Sequence, residues 1–316
     1  MSSDNSAPMK TEIPKMKHVC LLYLDILGYK DFIQRNGYNK SFEIINSAFE
    51  LSKLYKDSLN DYLGSGEIKF KGYSDNLVFY FELKEDGADY KRFYALASLA
   101  SNLQESFVTL SQSQLRGAIT VGNCYIEDYI FGEAFMEAFD LESNKADWGR
   151  VVVSKEAFHS FRSPNGNIVV PCLIDNDMFY LDFLAMSLNP VANENYKQHF
   201  DYFYRIFRKM YFDVIDKMVV AKTLGEMIQI SKIVEKNNRM LDYISSYSLE
   251  NGLEIKEPHI YKQDKLLCEW NEFQSQLNSV DEESISAVRE SLNNLLKVFN
   301  VYRKSLDENR ETLRNL

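Results

Sequence analysis

The period of the hydrophobic pattern changes several times along the chain, and each change marks an element. Residues 19–27 form an apolar, β-branched and aromatic run, broken only by Asp25 and ended by Gly28, which predicts a strand. From residue 31 to about 62 apolar residues recur at helical spacing, with Phe42, Ile45 and Phe49 in one row and Ile44, Ala48, Leu51 and Tyr55 in another. One or two helices are expected there, ending before Gly64-Ser65-Gly66. Residues 68–73 and 77–83 are β-rich, and the polar Ser74-Asp75-Asn76 between them predicts a hairpin.

Residues 89–111 carry Tyr90, Phe93, Leu96, Ala97, Ala100, Leu103, Phe107 and Leu110 on one helical face. Residues 115–124, LRGAITVGNC, predict the next strand, with glycines for a bend or a close approach. Phe131-Gly132 opens a helix through about Lys145, residues 151–153 are a short strand, and 179–183 a last one before Pro190. The order β-α-β-β-α-β-α-β predicts an α+β fold, a ferredoxin-like sandwich with an added helix and strand.

Beyond about residue 189 the composition shifts. Gly and Pro become scarce, residues 202–220 are dense in aromatics, and a mainly helical C-terminal region is expected. Ile285, Val288, Leu292, Leu295, Phe299, Tyr302 and Leu306 are spaced alternately by three and four. That a/d seam suits either a helix packed on its own chain or an intermolecular coiled coil. The expected division is a flexible tail over 1–17, an α+β domain over 18–188 and a helical region over 189–316.

Composition narrows the chemistry. With 45% hydrophobic and 26% charged residues the chain reads as a soluble globular protein, and 21 Phe and 20 Tyr predict an aromatic-rich core. A net charge of −10 argues against nucleic-acid binding, which needs basic patches to neutralise phosphates. It leaves room for a nucleotide that arrives with divalent cations. Cys20, Cys124, Cys172 and Cys268 are far apart, so neither a disulfide framework nor a zinc site is indicated, and the four histidines are equally scattered. The first 15 residues lack the apolar stretch of a signal peptide, and no run approaches the roughly 18 apolar residues of a membrane span. A cytoplasmic setting without stable membrane association is therefore expected.

Two carboxylates stand out. Asp25 interrupts a strand that should be buried, and a strand interior rarely holds an unpaired charge because desolvating a carboxylate costs more than the surrounding burial returns. Asp75 lies in the predicted hairpin turn, where aspartate is also common for turn chemistry alone. In the predicted strand order that turn approaches the end of the first strand. Two carboxylates meeting there can hold a pair of divalent ions, and oxygen ligands without His or Cys favour Mg²⁺ or Mn²⁺.

The segments quoted above resemble the catalytic domain of class III nucleotidyl cyclases, the adenylate/guanylate cyclase family. LLYLDILGYKDF resembles the strand that ends in the first metal motif, and FKGYSDNLVFYF the hairpin whose turn carries the second. LRGAITVG resembles the family's Arg-x-Gly-Ile-x-x-Gly strand, and FGEAFMEAFDLESNKADWGRVVVS the helix and strand that close the site. The resemblance covers roughly residues 19–185. It implies a ferredoxin-like cyclase domain, active sites at a homodimer interface, and attack of the ribose 3′-hydroxyl on the α-phosphate of a nucleoside triphosphate with release of pyrophosphate. By the same resemblance Asp25, Asp75 and the backbone carbonyl of Ile26 would bind two divalent cations, Mn²⁺ or Mg²⁺. Arg116 would bind the triphosphate, and Lys71 stands where adenylate cyclases keep a base-reading lysine.

Other positions depart from the purine pattern. Tyr129 occupies the place of the aspartate that reads adenine, and Met136 and Asp140 replace the Asn and Arg that orient the ribose and stabilise the transition state. Arg116 or Lys145 is left as the cation for that role. Tyr23, two residues before Asp25 and on the same strand face, is expected to narrow the base pocket and stack on a single ring. Taken together, these features resemble the pyrimidine cyclases of bacterial Pycsar antiphage systems. They imply UTP, or less often CTP, as substrate and a separate effector activated by the cyclic product. A divergent purine cyclase, or a degenerate cyclase fold serving as a nucleotide-binding or dimerisation module, is the competing expectation.

Overall fold

The computed structural model describes residues 15–63, 68–84, 86–127, 129–188, 195–221 and 223–253. The chain divides into two compact units, Met1–Asn189 and Pro190–Leu316. In the first, the elements run β1 (Lys17–Ile26), α1 (Tyr29–Leu63), β2 (Lys69–Tyr73), β3 (Asn76–Glu82), α2 (Asp89–Ser111), β4 (Leu115–Ile126) and β5 (Ile130–Gly132). They continue with α3 (Glu133–Lys145), β6 (Val151–Val153), α4 (Lys155–Ser160), β7 (Cys172–Asp175), β8 (Met178–Leu181) and α5 (Phe183–Ser187).

The strands form one sheet in the order β2-β3-β1-β4-β6-β8-β7, with β5 paired to β4 off this path. The first four, β2-β3-β1-β4, follow the ferredoxin-like arrangement expected from the sequence. β1 is antiparallel to both neighbours, whereas β4 and β6 are parallel. Because β1 is central and covered on both faces, it has no hydrophobic alternation. Cys20, Leu22, Leu24 and Ile26 pack in the core that α1 and α2 cover. Val19, Leu21 and Tyr23 pack on the opposite face with Ala134 and Ala138 of α3. A continuous apolar run is the sequence consequence of burial on both sides.

Small residues let α3 lie close to the sheet. Thr120 of β4 donates its hydroxyl proton to the Ala134 carbonyl at 2.7 Å. A Cβ on Gly122 would stand 3.1 Å from the Ala134 nitrogen. At Gly117 the approach is closer still, since a Cβ would collide with the Tyr23 carbonyl oxygen and lie 2.9 Å from Leu24 Cδ2. Gly117 is therefore the residue that lets β4 lie against β1 beside Asp25.

The structure changes several sequence expectations. The helical pattern over 31–62 is broken at Gly37 (φ 72°, ψ 164°), so α1 is two helical segments joined at a kink. Phe131-Gly132 forms a short strand before α3 begins. The last predicted strand ends at Leu181, because the Asp182 side chain accepts a hydrogen bond from the Ala185 nitrogen and starts α5. β7 lacks a strong apolar alternation and was not anticipated. It is specified by the hairpin turn at Asn176 and Asp177, both with positive φ (49° and 60°).

In the second unit α6 (Tyr196–Val220) and α7 (Leu224–Glu250) are helical, as the composition predicts. α7 opens with a capping box in which Thr223 and Glu226 exchange hydrogen bonds. Tyr211 of α6 donates to Asn238 Oδ1 of α7 at 2.7 Å, and Phe203, Phe207, Val234 and Ile244 are fully buried. Of the expected tail over 1–17, residues 1–14 lie outside the described residues and Lys17 already belongs to β1; the heptad seam over 285–306 also lies outside them. Among the described residues no helix is long and apolar enough to cross a membrane.

Candidate active site

Strand register brings the chemistry together. Asp25, at the penultimate position of β1, lies directly opposite Asn76 on β3 and opposite Arg116 on β4. Asp75 precedes Asn76 in the two-residue turn Ser74-Asp75, whose tightness places Ser74 in the left-handed region (φ 55°). Asp25, Asp75 and Arg116 thus share one end of the sheet, within the α1/α2/α3 framework. Asn76, expected in the turn, is instead the first residue of β3.

Arg116 is held through its Nε. That atom lies 3.3 Å from Asp25 Oδ2, to which it donates, and 2.6 Å from Glu142 Oε1 on α3. The second contact is an ion pair whose angle falls outside hydrogen-bond geometry, so Oε1 is buried without a hydrogen-bond partner. Glu142 is only 3% exposed; its other oxygen accepts from the Ser143 hydroxyl at 2.9 Å. Glu142 was not singled out from sequence, although it lies in the segment that resembles the family's closing helix.

Two carboxylates, Asp25 and Glu142, therefore flank one guanidinium, and the Asp75 charge acts on Asp25 as well. Burial, followed by the Glu142 charge, raises the Asp25 carboxyl to about 6, against the opposing pull of Arg116. An acidic, oxygen-rich pocket in which ionising one member is costly has the donor chemistry of a divalent-cation site. Asp25 and Asp75 would supply its carboxylates. Ile26 ends β1 beside them, with its side chain turned into the α1/α2 core. No group of three or more His, Cys, Asp or Glu side chains is arranged to hold a metal ion among the described residues.

Tyr23 is placed differently from the expectation. It shares the Asp25 face but is 5% exposed, and the edge contacts of its ring go to Phe135 and Phe139, with centroids 5.8 and 6.2 Å away. Its hydroxyl donates to Asn76 Oδ1. Burial, and then the Asp25, Glu142 and Asp75 charges, raise its pKa and keep it protonated. A base stacking on this ring would have to displace Phe135 or Phe139.

Lys71 lies opposite Val78, which lies opposite Tyr23, so Lys71 is two strands from Tyr23 on the same face. Tyr129 is not brought to Asp25. It follows β4, beside the Lys17 end of β1, about 30 Å along the strands from Asp25. There it is exposed and packs its ring on Tyr125 at 4.8 Å. Met136 is exposed, and Asp140 accepts from Asn144 at 2.8 Å on the outer side of α3. Lys145 closes the last turn of α3.

A second arginine, in the segment that resembles the closing helix and strand, was not singled out as a candidate. Gly117 pairs with Val151 in parallel register, so Arg150 stands beside Arg116 on the neighbouring strand end. Its guanidinium stacks 3.7 Å above the Tyr180 ring and pairs with Asp147 at 2.6 Å and Asp175 at 3.0 Å.

No family model matches the chain, and no curated protein matches it. Among solved structures it is similar to the adenylyl cyclase CyaB from P. aeruginosa, at 16% identity and a TM-score of 0.40, over 54% of this chain and 94% of that one. It is also similar to the guanylyl cyclase Cya2, at 9% identity and a TM-score of 0.33, over 53% of this chain and 93% of that one. Neither likeness carries the functional conclusion, which rests on the side chains described above.

Proposed function

We propose that the chain is a metal-dependent nucleotide cyclase that converts a pyrimidine nucleoside triphosphate, UTP in preference to CTP, to its 3′,5′-cyclic monophosphate and pyrophosphate. The observation that carries this reading is the row Asn76–Asp25–Arg116 with Asp75 beside it: paired carboxylates and a guanidinium at one open sheet end. When bound at Asp25, Asp75 and the Ile26 carbonyl, divalent cations supply Lewis acidity at the α-phosphate and acidify the attacking hydroxyl.

The remaining work falls to this chain's own residues. Arg116 meets Glu142 and Asp25 through its Nε, and among the described residues neither Nη makes a hydrogen bond. Two N–H-bearing groups are thus left to take phosphate oxygens and steady the departing pyrophosphate. With Asp25 given over to a cation, Arg116 would be free to take the triphosphate, while Glu142 would keep the guanidinium in the site. Arg150 and Lys145 are further cations from which the transition-state charge can draw.

Homodimerisation belongs to the same proposal. Tyr129, Phe131, Met136 and Phe139 expose large apolar side chains on β5, α3 and the segment before them. Within one chain Tyr129 lies at the far end of the sheet from Asp25, so it can contact substrate there only from a second copy. A role in antiphage defence, through a separate effector that binds the cyclic product, completes the proposal.

A divergent purine cyclase is the second reading, favoured by Lys71 on the Tyr23 face. The purified protein incubated with each of ATP, GTP, UTP and CTP, with Mn²⁺ or Mg²⁺, separates these. Cyclic UMP or cyclic CMP is expected, lost in Asp25→Ala and Asp75→Ala with the fold retained. A cyclic purine alone would replace the pyrimidine reading. Nucleotide binding without any product would identify a binding module instead.

A further inference from the structure

Asp75 sits on a two-residue turn, where nothing in the backbone fixes the direction of its carboxylate. A hydrogen-bonded chain does. Tyr23 Oη donates to Asn76 Oδ1, and Asn76 Nδ2 donates to Asp75 Oδ1 at 3.2 Å. We propose that Tyr23 and Asn76 are positioning residues, a relay that aims the Asp75 carboxylate toward a divalent cation shared with Asp25. The inference rests on the metal-dependent reading above and extends it to two residues that touch neither phosphate nor metal.

The carboxamide is the central part. It has one acceptor end and one donor end, and a hydroxyl in contact with the oxygen leaves the NH₂ for the carboxylate. Turned over, the amide would set its carbonyl oxygen against Asp75, with like partial charges facing each other. The acceptor-only Asp75 carboxylate therefore fixes which end of the amide faces it, and the Tyr23 hydroxyl holds the other end by donating to the oxygen. Tyr23 is itself fixed by burial and by the edges of Phe135 and Phe139, so the relay is anchored on α3. Asn76 is also the cross-strand partner of Asp25, so the residue that bonds Asp75 stands directly across the strand from the other carboxylate. Groups that orient metal-ligating side chains in this way change metal affinity by roughly 10–100-fold when removed.

The test is Mn²⁺ binding to the metal-free protein, followed by calorimetry and by the free-ion electron paramagnetic resonance signal, with no nucleotide present. Tyr23→Phe and Asn76→Ala are each expected to weaken binding about 10-fold. The double variant should be no weaker than the weaker single one, because both act through one path. Asp75→Ala should lose more than either. If both single variants bind like wild type while Asp75→Ala does not, the relay is wrong and the metal site stands. If the double variant shows the product of the two losses, the residues act separately and the relay is again wrong. If wild type does not bind Mn²⁺, or Asp75→Ala binds it normally, the metal-dependent reading falls and the relay with it. Thermal unfolding accompanies each titration: a purely structural role would lower the melting temperature and leave Mn²⁺ affinity unchanged. Asn76→Ser serves where Asn76→Ala does not fold.

Discussion

Replacing Asp25 by Asn should stabilise the metal-free protein while removing its activity. Burial and the neighbouring Glu142 raise the Asp25 carboxyl from the ordinary value of 3.8 to about 6. At about 1.4 kcal/mol per pKa unit, ionising it in the folded state at pH 7.5 costs about 3 kcal/mol more than in the unfolded chain. That cost already includes the favourable pull of Arg116, and discounted for partial solvent screening it leaves a net gain of about 2 kcal/mol. For a unit of this size the gain corresponds to about 5 °C in melting temperature.

The pH dependence identifies the cause. A carboxylate whose folded pKa is raised contributes no penalty below its unfolded pKa, a growing one between about 4 and 6, and the full one above 6. The difference between Asp25→Asn and wild type should accordingly be near zero at pH 4 and largest at pH 7.5. Paired thermal or urea unfolding of the two proteins at both pH values, in a chelator, measures this directly. Mn²⁺ at pH 7.5 should raise the stability of wild type and leave that of the variant unchanged. A variant less stable than wild type at pH 7.5, or a gain independent of pH, would refute the electrostatic reasoning.

Arg116→Ala should destabilise the protein by about 2–3 kcal/mol, because it strands the buried Glu142 carboxylate. Adding Glu142→Gln should restore most of that loss, and a double-mutant cycle in urea reads the coupling. Gly117→Ala should cost about 3 kcal/mol or more, seen as loss of soluble expression or a sharp drop in denaturation midpoint, because its Cβ would meet the Tyr23 backbone.

Much of the fold was legible because its elements obey local rules. α2 spans Asp89–Ser111, the range its helical spacing predicts, since one face is buried along its whole length. β1 was visible as an apolar run because both its faces are covered. Asp25 was visible because a charge in such a run breaks the pattern. β5 and β7 were missed because each is only three or four residues long and held by pairing, with little periodicity of its own.

The sequence by itself determined the α+β order of elements, the helical second unit and the two carboxylates, all of which follow from period, turn chemistry and the cost of burying charge. Only the tertiary structure decided what surrounds those carboxylates. Glu142 and Arg116 are 26 residues apart and meet at 2.6 Å because α3 crosses the face of β4. Asn76 faces Asp25 through strand register, and Tyr23 is turned toward Asn76 and enclosed by α3. Sheet order also sends Tyr129 to the far end from Asp25. Periodicity reports which face of an element is buried. It carries no record of which partner lies across the strand, and at this site the partner sets the charge, the orientation and the proton.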